Sequence, residues 1–153
     1  MRHSSAEVDV RTATAADRDA VVGLMRAQFR EHQIALDDAG IARAVDGVLQ
    51  HPDWGRLLVA TRTGTAVGFA GLSFMWTYEH GGRAAWLDEL YVNPAQRGRG
   101  IGQKLLRAAC EVAAESGAVA MDLEVDIEHR RAERLYEREG FVRLHRARWS
   151  RPL

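Results

Sequence analysis

Apolar residues recur at helical spacing in the first third of the chain, where they predict two consecutive helices. The first helix follows a capping sequence that begins at Thr14, and it is expected to continue to about Glu31. The second helix is capped by Asp37 or Asp38 and ends at the turn His51-Pro52-Asp53. The apolar face of the first helix consists of Val21, Leu24, Met25 and Phe29.

Apolar runs bounded by turn residues predict six strands, and glycines close two further helices. The third helix follows a glycine-rich segment and stops at Gly117, and the fourth covers about residues 128–139 and is closed by Gly140. The order β-α-α-β-β-β-α-β-α-β predicts a single α/β domain over residues 1–153, with a mixed sheet flanked by helices. Residues 1–7 are expected to be flexible. The predicted strands are Val8 to Arg11, Leu57 to Thr61, Ala66 to Trp76, Ala84 to Val92, Val119 to Val125 and Phe141 to Trp149.

The charge balance and the single cysteine exclude several classes of function. Lysine and arginine number 21 and aspartate and glutamate number 21, so no overall positive field argues for a nucleic-acid partner. Cys110 alone cannot form an internal disulfide or a zinc site of several thiolates, and the histidines lack metal-ligand spacing. No apolar run reaches the roughly 18 residues of a membrane span, and the first residues lack an apolar signal core. These features predict a cytoplasmic protein without a metal, a nucleic-acid partner or a membrane.

The segment Gln96 to Gly102 carries the strongest chemical signal in the chain. Glycines at alternate positions leave backbone N–H groups uncovered where the third helix begins, and a helix N-terminus favours phosphate. Arg97 and Arg99 add positive charge and forked donors beside these groups. The segment therefore predicts a loop that binds a diphosphate, and a simple turn with arginines in solvent is the alternative.

Two common phosphate-binding patterns fail at this loop by direct count. The dinucleotide pattern G-x-G-x-x-G, started at Gly98, requires glycine where Gln103 stands. The nucleoside triphosphate pattern requires lysine directly after its last glycine, but Gln103 follows Gly102. The diphosphate is therefore expected to belong to another kind of cofactor.

Two motifs in the chain resemble those of the GCN5-related N-acetyltransferase (GNAT) family. The loop reads Arg97-x-x-Gly100-x-Gly102, which is similar to the family sequence that holds the diphosphate of coenzyme A. Downstream, His129-x-x-Ala132-x-x-Leu135-Tyr136-x-x-x-Gly140-Phe141 is similar to the family motif N-x-x-A-x-x-L-Y-x-x-x-G-F, with histidine in the first position. The resemblance implies acetyl transfer from acetyl-CoA to a primary amine, directly within a ternary complex. The cofactor-binding residues that it implies are Leu90, Tyr91, Val92, Arg97, Gly98, Arg99, Gly100, Ile101, Gly102 and His129.

The resemblance also implies how the chemistry is done. Tyr136 matches the family tyrosine near the coenzyme sulfur, and its phenol can protonate the leaving thiolate because it is protonated at neutral pH. Backbone amides of residues 90–92 are implied to polarise the acetyl carbonyl, since the family strand splays from its neighbour at a bulge. Core packing is the alternative role for Tyr136, and a surface histidine at a helix start is the alternative for His129.

Glu89 is the predicted base that deprotonates the amine. It lies on the strand before the loop, and Asp88 points to the opposite face if that strand is regular. A bulge would exchange the two carboxylates. A water chain in place of a dedicated base is the alternative that the family resemblance leaves open.

The acceptor site is expected where aromatic rings and carboxylates can receive a cationic amine. A small amine is the predicted acceptor, and a protein lysine or N-terminal amine is the alternative. A different functional class is a sensor or interaction module of the same fold, which would bind acyl-CoA without turnover. A homodimer that pairs the strand Phe141 to Trp149 is compatible with the sequence, although no residue requires it. The predicted acceptor-binding residues are Glu31, Trp76, Glu79 and Asp88.

Overall fold

The computed structural model of the chain describes residues 7–153 and contains a five-stranded sheet. The strands lie across the sheet in chain order, and neighbours are antiparallel except for the last pair, which is parallel. The predicted flexibility of residues 1–7 falls, apart from Glu7, outside the described residues. The strands are β1 (Val8–Thr12), β2 (Gly55–Arg62), β3 (Thr65–Thr77), β4 (Gly82–Val92) and β5 (Met121–Leu123).

Four α-helices in the described part of the chain flank the sheet: α1 (Arg18–Glu31), α2 (Asp38–Gln50), α3 (Ile101–Glu115) and α4 (Arg130–Arg138). α1 and α2 pack on one face, in a core that includes Phe69 and Tyr91. α3 packs on the other face against Leu58 and Leu72, and one side of α4 joins that second core. The predicted α/β class with a mixed, helix-flanked sheet is confirmed.

Local capping explains where the first two helices begin. Thr14 and Asp17 form the predicted capping box at the 3₁₀ turn Ala15–Asp17, which leads directly into α1, and Asp17 Oδ2 accepts a hydrogen bond from the Thr14 N–H at 2.8 Å. Asp37 Oδ1 accepts from the Gly40 N–H at 2.7 Å, so Asp37 rather than Asp38 caps α2. Both predicted helix starts are therefore explained by a side chain that satisfies an otherwise free N–H group.

The predicted last strand, Phe141 to Trp149, is wrong, because the structure has no strand after α4. Apolar residues alternate with arginines there, which imitates a strand pattern, but most of these apolar side chains are exposed. The arginines instead form ion pairs, Arg146 with Glu79 at 2.6 Å and Arg148 with Glu124. β5 is also shorter than predicted, with three residues, and so offers little edge for another strand.

A bulge at Asp88 changes which residues of β4 share a face. Gly71 and Leu72 are consecutive on β3, yet they pair with Glu89 and Leu87. Asp88, between those two, therefore has no partner on β3. Residues that are an even number apart share a face of a regular strand. Nevertheless, Leu87 packs in the core with α3, while Tyr91 packs in the core with α1 and α2. The bulge therefore turns Glu89 and Tyr91 toward α1.

We expect Gly68→Ala to destabilise the sheet beside this bulge. A Cβ at Gly68 would lie 2.7 Å from the Tyr91 carbonyl oxygen and 3.2 Å from Leu105 Cδ1, so the backbone of β4 would have to move. The expected loss of unfolding free energy is about 1–3 kcal/mol, measured by urea unfolding. The control is Gly23→Ala on α1, where no described heavy atom lies within 4 Å, and there the free energy should rise by up to about 1 kcal/mol. Equal effects of the two changes would contradict the packing assigned to β3 and β4.

Candidate active site

The strands β4 and β5 separate halfway along β4 and leave part of its backbone without a strand partner on that side. Their parallel pairing ends where Leu87 opposes Leu123, whereas β4 continues to Val92. The Asn93 N–H donates to the Val67 carbonyl at 2.8 Å. The backbone N–H and C=O groups of the odd-numbered residues at this end of β4 therefore point toward β3. The N–H groups of Leu90 and Val92 therefore face the opposite side, where β5 has ended.

A cavity of about 520 Å³ occupies the space between the end of β4, the glycine loop and α4. Each of the predicted cofactor-binding residues lines it, except Arg99, which is exposed outside. The predicted residues Tyr136 and Glu31 also line it. On α4 the lining residues His129, Ala132, Leu135 and Tyr136 follow helical spacing, so one face of this helix forms a wall of the cavity.

The glycine loop is shaped by two left-handed residues immediately before α3. Gly98 has φ +77° and Gly100 has φ +78°, a region that side chains with a Cβ rarely occupy. Gly100 is the N-cap of α3, so the free N–H groups of the first helical turn begin here, beside the cavity. No described heavy atom lies within 4 Å of a Cβ position at Gly100, which leaves that side of the turn open to an anion.

We expect Gly100→Ala to weaken cofactor binding. A left-handed conformation costs a residue with a Cβ about 1–2 kcal/mol, and the methyl group would project into the open side of the turn. The Michaelis constant for acetyl-CoA should therefore rise by roughly tenfold in steady-state kinetics. Gly81→Ala is the matched control, because Gly81 has φ +67° at the tip of the β3–β4 hairpin, away from the cavity. The control should lose stability without a change in the Michaelis constant, and a parallel change in both variants would contradict the role of the loop.

Arg97 is held by residues outside the loop. Its guanidinium forms a bidentate pair with the Glu31 carboxylate at 2.7 and 2.8 Å, and its Nε–H donates to the Val92 carbonyl at 2.9 Å. It also lies over the Tyr91 ring, 5.4 Å from the centroid. The pair lowers the pKa of Glu31 and raises the pKa of Arg97, chiefly through these hydrogen bonds. The side chain that was predicted to bind a phosphate thus joins the loop to the end of α1.

His129 caps α4 in the place where the family motif has asparagine. Its Nδ1 accepts a hydrogen bond from the Ala132 N–H at 3.2 Å, which is the bond that an N-cap side chain makes. An Nδ1 that accepts places the proton of the neutral ring on Nε2. The histidine therefore caps α4 and retains an N–H donor on a cavity-lining side chain.

Tyr136 is fixed by the way α4 ends. The Gly140 N–H donates to the Glu137 carbonyl at 3.1 Å, and the Phe141 N–H donates to the Tyr136 carbonyl at 3.0 Å, with Gly140 at φ +88°. These two bonds form a Schellman motif. The Phe141 ring packs edge-on against the Tyr136 ring, at 5.8 Å between centroids. The glycine and phenylalanine of the motif thus hold the tyrosine against the cavity.

The ionisation of Glu89 and that of Tyr136 are linked. Burial and the nearby Asp88 charge raise the pKa of Glu89 to about 7, and a hydrogen bond from Gln28 opposes this shift. Burial, followed by the charge of Glu89, raises the pKa of Tyr136 above its ordinary value. At neutral pH the site therefore contains a carboxylate that is easily protonated and a phenol that keeps its proton.

Gln28 is the polar contact of Glu89 that the sequence interpretation missed. It is 5% exposed, on the face of α1 that packs against the sheet, and its Oε1 has no hydrogen-bond partner among the described residues. The available signal was a glutamine three residues after Met25, on the apolar face of a predicted helix. A buried primary amide can donate to a carboxylate and can accept from a carboxylic acid. Gln28 is therefore suited to either state of Glu89.

Three predicted acceptor-binding residues do not line the cavity. Trp76 is 79% exposed and lies five residues along β3 from Gly71, roughly 17 Å at the rise of a strand. Glu79 lies in the β3–β4 hairpin and pairs with Arg146. Asp88 is exposed at the bulge and accepts a hydrogen bond from a β3 serine, although its charge reaches Glu89. Trp76 and Glu79 thus lie at the far end of the sheet from this cavity, and their part in acceptor binding stays a prediction.

Other chemical classes gain no support from the described residues. In residues 7–153, no three His, Cys, Asp or Glu side chains are placed to hold a metal ion together. Burial raises the pKa of the Cys110 thiol, and its sulfur lies 3.9 Å from the Met121 sulfur, so it serves as packing. None of the described helices combines the length and the apolar character that a membrane crossing requires.

Comparison with known proteins agrees with this geometry. The sequence matches the Acetyltransferase (GNAT) family over residues 19–141. It is 31% identical to the aminoalkylphosphonate N-acetyltransferase of Salmonella typhimurium (strain LT2), over 90% of this chain and 86% of that protein. It is 33% identical to the D-amino-acid N-acetyltransferase HPA3 of Saccharomyces cerevisiae, over 58% of this chain and 55% of that protein. The fold matches the aminoglycoside N-acetyltransferase AAC(6')-Iy in complex with CoA with a TM-score of 0.86 and 21% identity, over 99% of both chains.

The mixed sheet, the splayed strand and the glycine loop define an enzyme that transfers an acyl group to an amine. The chain belongs to the GNAT acetyltransferase family, and it is an N-acetyltransferase that uses acetyl-CoA. The cavity fits this cosubstrate. The open turn at Gly98 and Gly100 offers free N–H groups to a diphosphate, and the N–H groups of Leu90 and Val92 lie along the wall that would receive an extended amide chain.

Proposed function

We propose that this enzyme transfers the acetyl group directly to a small primary amine, with Glu89 as the base and Tyr136 as the acid. The observation that carries the proposal is the position of Glu89 at the β4 bulge, where burial and the Asp88 charge raise its pKa to about 7 and its own charge adds to the effect of burial on the pKa of Tyr136. A base is most effective when its pKa lies near the working pH. Glu89 takes the proton that the ammonium group loses, and the Tyr136 O–H donates the proton that the departing sulfur requires.

Backbone groups supply the remaining parts of the proposed mechanism. When bound, acetyl-CoA supplies an activated acyl group as a thioester. The N–H groups of Leu90 and Val92, on the side of β4 where β5 has ended, are proposed to donate to the acyl carbonyl and the neighbouring amide chain. A preorganised donor near a developing oxyanion is worth about 3–4 kcal/mol. The loop from Gly98 to Gly102 holds the diphosphate at the start of α3.

The acceptor is proposed to be a small primary amine that enters from the α1 side of the sheet. The bulge directs Glu89 to that side. Because Glu31 is occupied by Arg97, the carboxylate left on this side to receive an ammonium group is Glu89. The names of the two curated relatives describe small amines, an aminoalkylphosphonate and D-amino acids, and this favours a small acceptor over a protein amine.

A panel of acceptors tests this proposal through acetyl-CoA turnover, followed as free thiol and by mass spectrometry of the product. The panel contains aminoalkylphosphonates, D- and L-amino acids, polyamines, aminoglycosides and lysine peptides. Turnover of one of the small amines, with the peptides inactive, is the expected result. Turnover of peptides alone would contradict the small-amine acceptor, and binding of CoA without any turnover would support the sensor instead.

Two further expectations remain proposals. A cytoplasmic, reducing location is supported by the single cysteine, which lies partly buried on α3.

The sequence-based argument for a homodimer no longer applies, because the segment Phe141 to Trp149 is not a strand. Sedimentation velocity of the purified protein measures the oligomeric state directly.

A further inference from the structure

We propose that Arg131 on α4, rather than Arg97, is the arginine that binds a phosphate of the nucleotide half of acetyl-CoA. The inference rests on the proposed use of this cavity for the cofactor, and it concerns a residue outside the loop motif. In the sequence, Arg131 lies among alternating arginines and glutamates of the fourth helix, a pattern typical of a solvated, salt-bridged face. The structure instead sets it over the glycine loop.

The position of Arg131 is defined by the loop itself. Its Nη2 lies 3.6 Å from the place that a Cβ would take at Gly98, where the backbone is left-handed. The side chain lines the cavity together with Gly98 and Gly100. A phosphate that accepts hydrogen bonds from the N–H groups of this turn would therefore be adjacent to the guanidinium.

Neither of the two arginines within the loop is available to a phosphate in the cavity. The Arg97 guanidinium forms a bidentate pair with Glu31, and its Nε–H donates to a β4 carbonyl. Arg99 is exposed and does not line the cavity. Arg131, by contrast, makes no hydrogen bond or ion pair within residues 7–153, so its five donors are available.

The positive charge of the cavity also favours the binding of an anion. Its lining contains three arginines, Arg97, Arg131 and Arg138, against one carboxylate, Glu31, which gives a formal charge of +2 with neutral histidines. The Arg97–Glu31 pair is internally neutral. The uncompensated charge is therefore on α4, at Arg131 and Arg138, and of these two Arg131 lies beside Gly98 of the glycine loop.

The test is the dissociation constant of CoA, measured by titration calorimetry, for the wild type, Arg131→Gln, Arg131→Lys and Arg134→Gln. Arg131→Gln should raise the dissociation constant of CoA about tenfold or more, because it removes a charge-assisted hydrogen bond. Arg131→Lys should restore part of the affinity, because it keeps the charge but loses the fork. Arg134 is the matched control, since it lies one turn along α4 and outside this cavity, and Arg134→Gln should bind CoA within about twofold of the wild type.

A parallel titration with dephospho-CoA identifies the phosphate. If Arg131→Gln weakens CoA but not dephospho-CoA, the guanidinium binds the ribose 3′-phosphate; if it weakens both equally, it binds the diphosphate, and either result supports the proposal. Unchanged CoA affinity in Arg131→Gln, or equal losses in Arg131→Gln and Arg134→Gln, would overturn it. A wild-type protein that binds no CoA would refute the cofactor site as a whole, which is a different failure.

Discussion

Replacing Glu89 with glutamine should lower kcat by about 10²–10³-fold and leave the Michaelis constant for acetyl-CoA nearly unchanged. Glutamine keeps the size and the hydrogen bonding of the side chain, but it cannot take the proton of the ammonium group. Glu89 does not line the cavity that contains the predicted cofactor-binding residues, so the binding of acetyl-CoA should not depend on this carboxylate. Steady-state kinetics with the preferred amine measure both constants.

The same variant should be more stable than the wild type in alkaline solution. The folded state raises the pKa of Glu89 from 4.5 to about 7, so it holds this proton more tightly than the unfolded chain does. The wild type therefore loses stability as the pH rises from about 4.5 through 7, whereas the glutamine variant has no such loss. At pH 8 the difference in unfolding free energy should reach up to about 3 kcal/mol, and near pH 4 it should vanish.

Two outcomes would contradict the assignment of Glu89. A glutamine variant with nearly full activity would show that water, or Asp88, serves as the base. An inactive variant without the alkaline gain in stability would show that the pKa of Glu89 is not raised in the folded protein, which removes the argument for this base. Asp88→Asn is the control, because removal of the neighbouring charge should lower the pKa of Glu89 while the base stays in place.

Replacing Tyr136 with phenylalanine should lower kcat by about 10²-fold with little change in the Michaelis constants. The change removes only the hydroxyl group and keeps the ring, which packs against Phe141 at the end of α4. Because burial keeps the pKa of Tyr136 above its ordinary value, the phenol retains its proton over the whole working range of the enzyme. The loss of kcat should therefore be nearly constant from pH 6 to pH 9.

An independent readout separates an acid from a packing residue at this position. If Tyr136 protonates the sulfur, the phenylalanine variant should keep the thermal stability and the CoA affinity of the wild type. Tyr78→Phe serves as the control, because Tyr78 is 98% exposed in the hairpin away from the cavity. Activity of the Tyr136 variant within threefold of the wild type would assign the tyrosine to packing alone.

The parts of the site that could be predicted are those that depend on local chemistry. The left-handed turns at Gly98 and Gly100 and the cap at Asp37 each involve residues that are close in sequence. The Schellman motif at Gly140 and Phe141 is also local, and it explains why Tyr136 could be located from a short motif. Such local patterns can be recognised from the sequence alone, because all of their residues are close together in the chain.

The parts that could not be predicted depend on pairing between distant segments. The bulge at Asp88 exists only as a mismatch between β4 and β3, yet it decides which face receives Glu89. The pair between Arg97 and Glu31 joins residues that are 66 positions apart. The alternation after Gly140 predicted a strand, but an alternating pattern cannot supply the partner edge that a strand requires.

The pH dependence of kcat/KM tests the central claim most directly, namely that a carboxylate with a raised pKa at the splayed strand is the base. For the wild type, kcat/KM with the preferred amine should fall below an apparent pKa near 7, because burial and the Asp88 charge raise the pKa of Glu89 to about 7. The residual activity of Glu89→Gln should lack this transition. A transition near pH 7 that persists in Glu89→Gln, or a wild-type profile without it, would contradict the account.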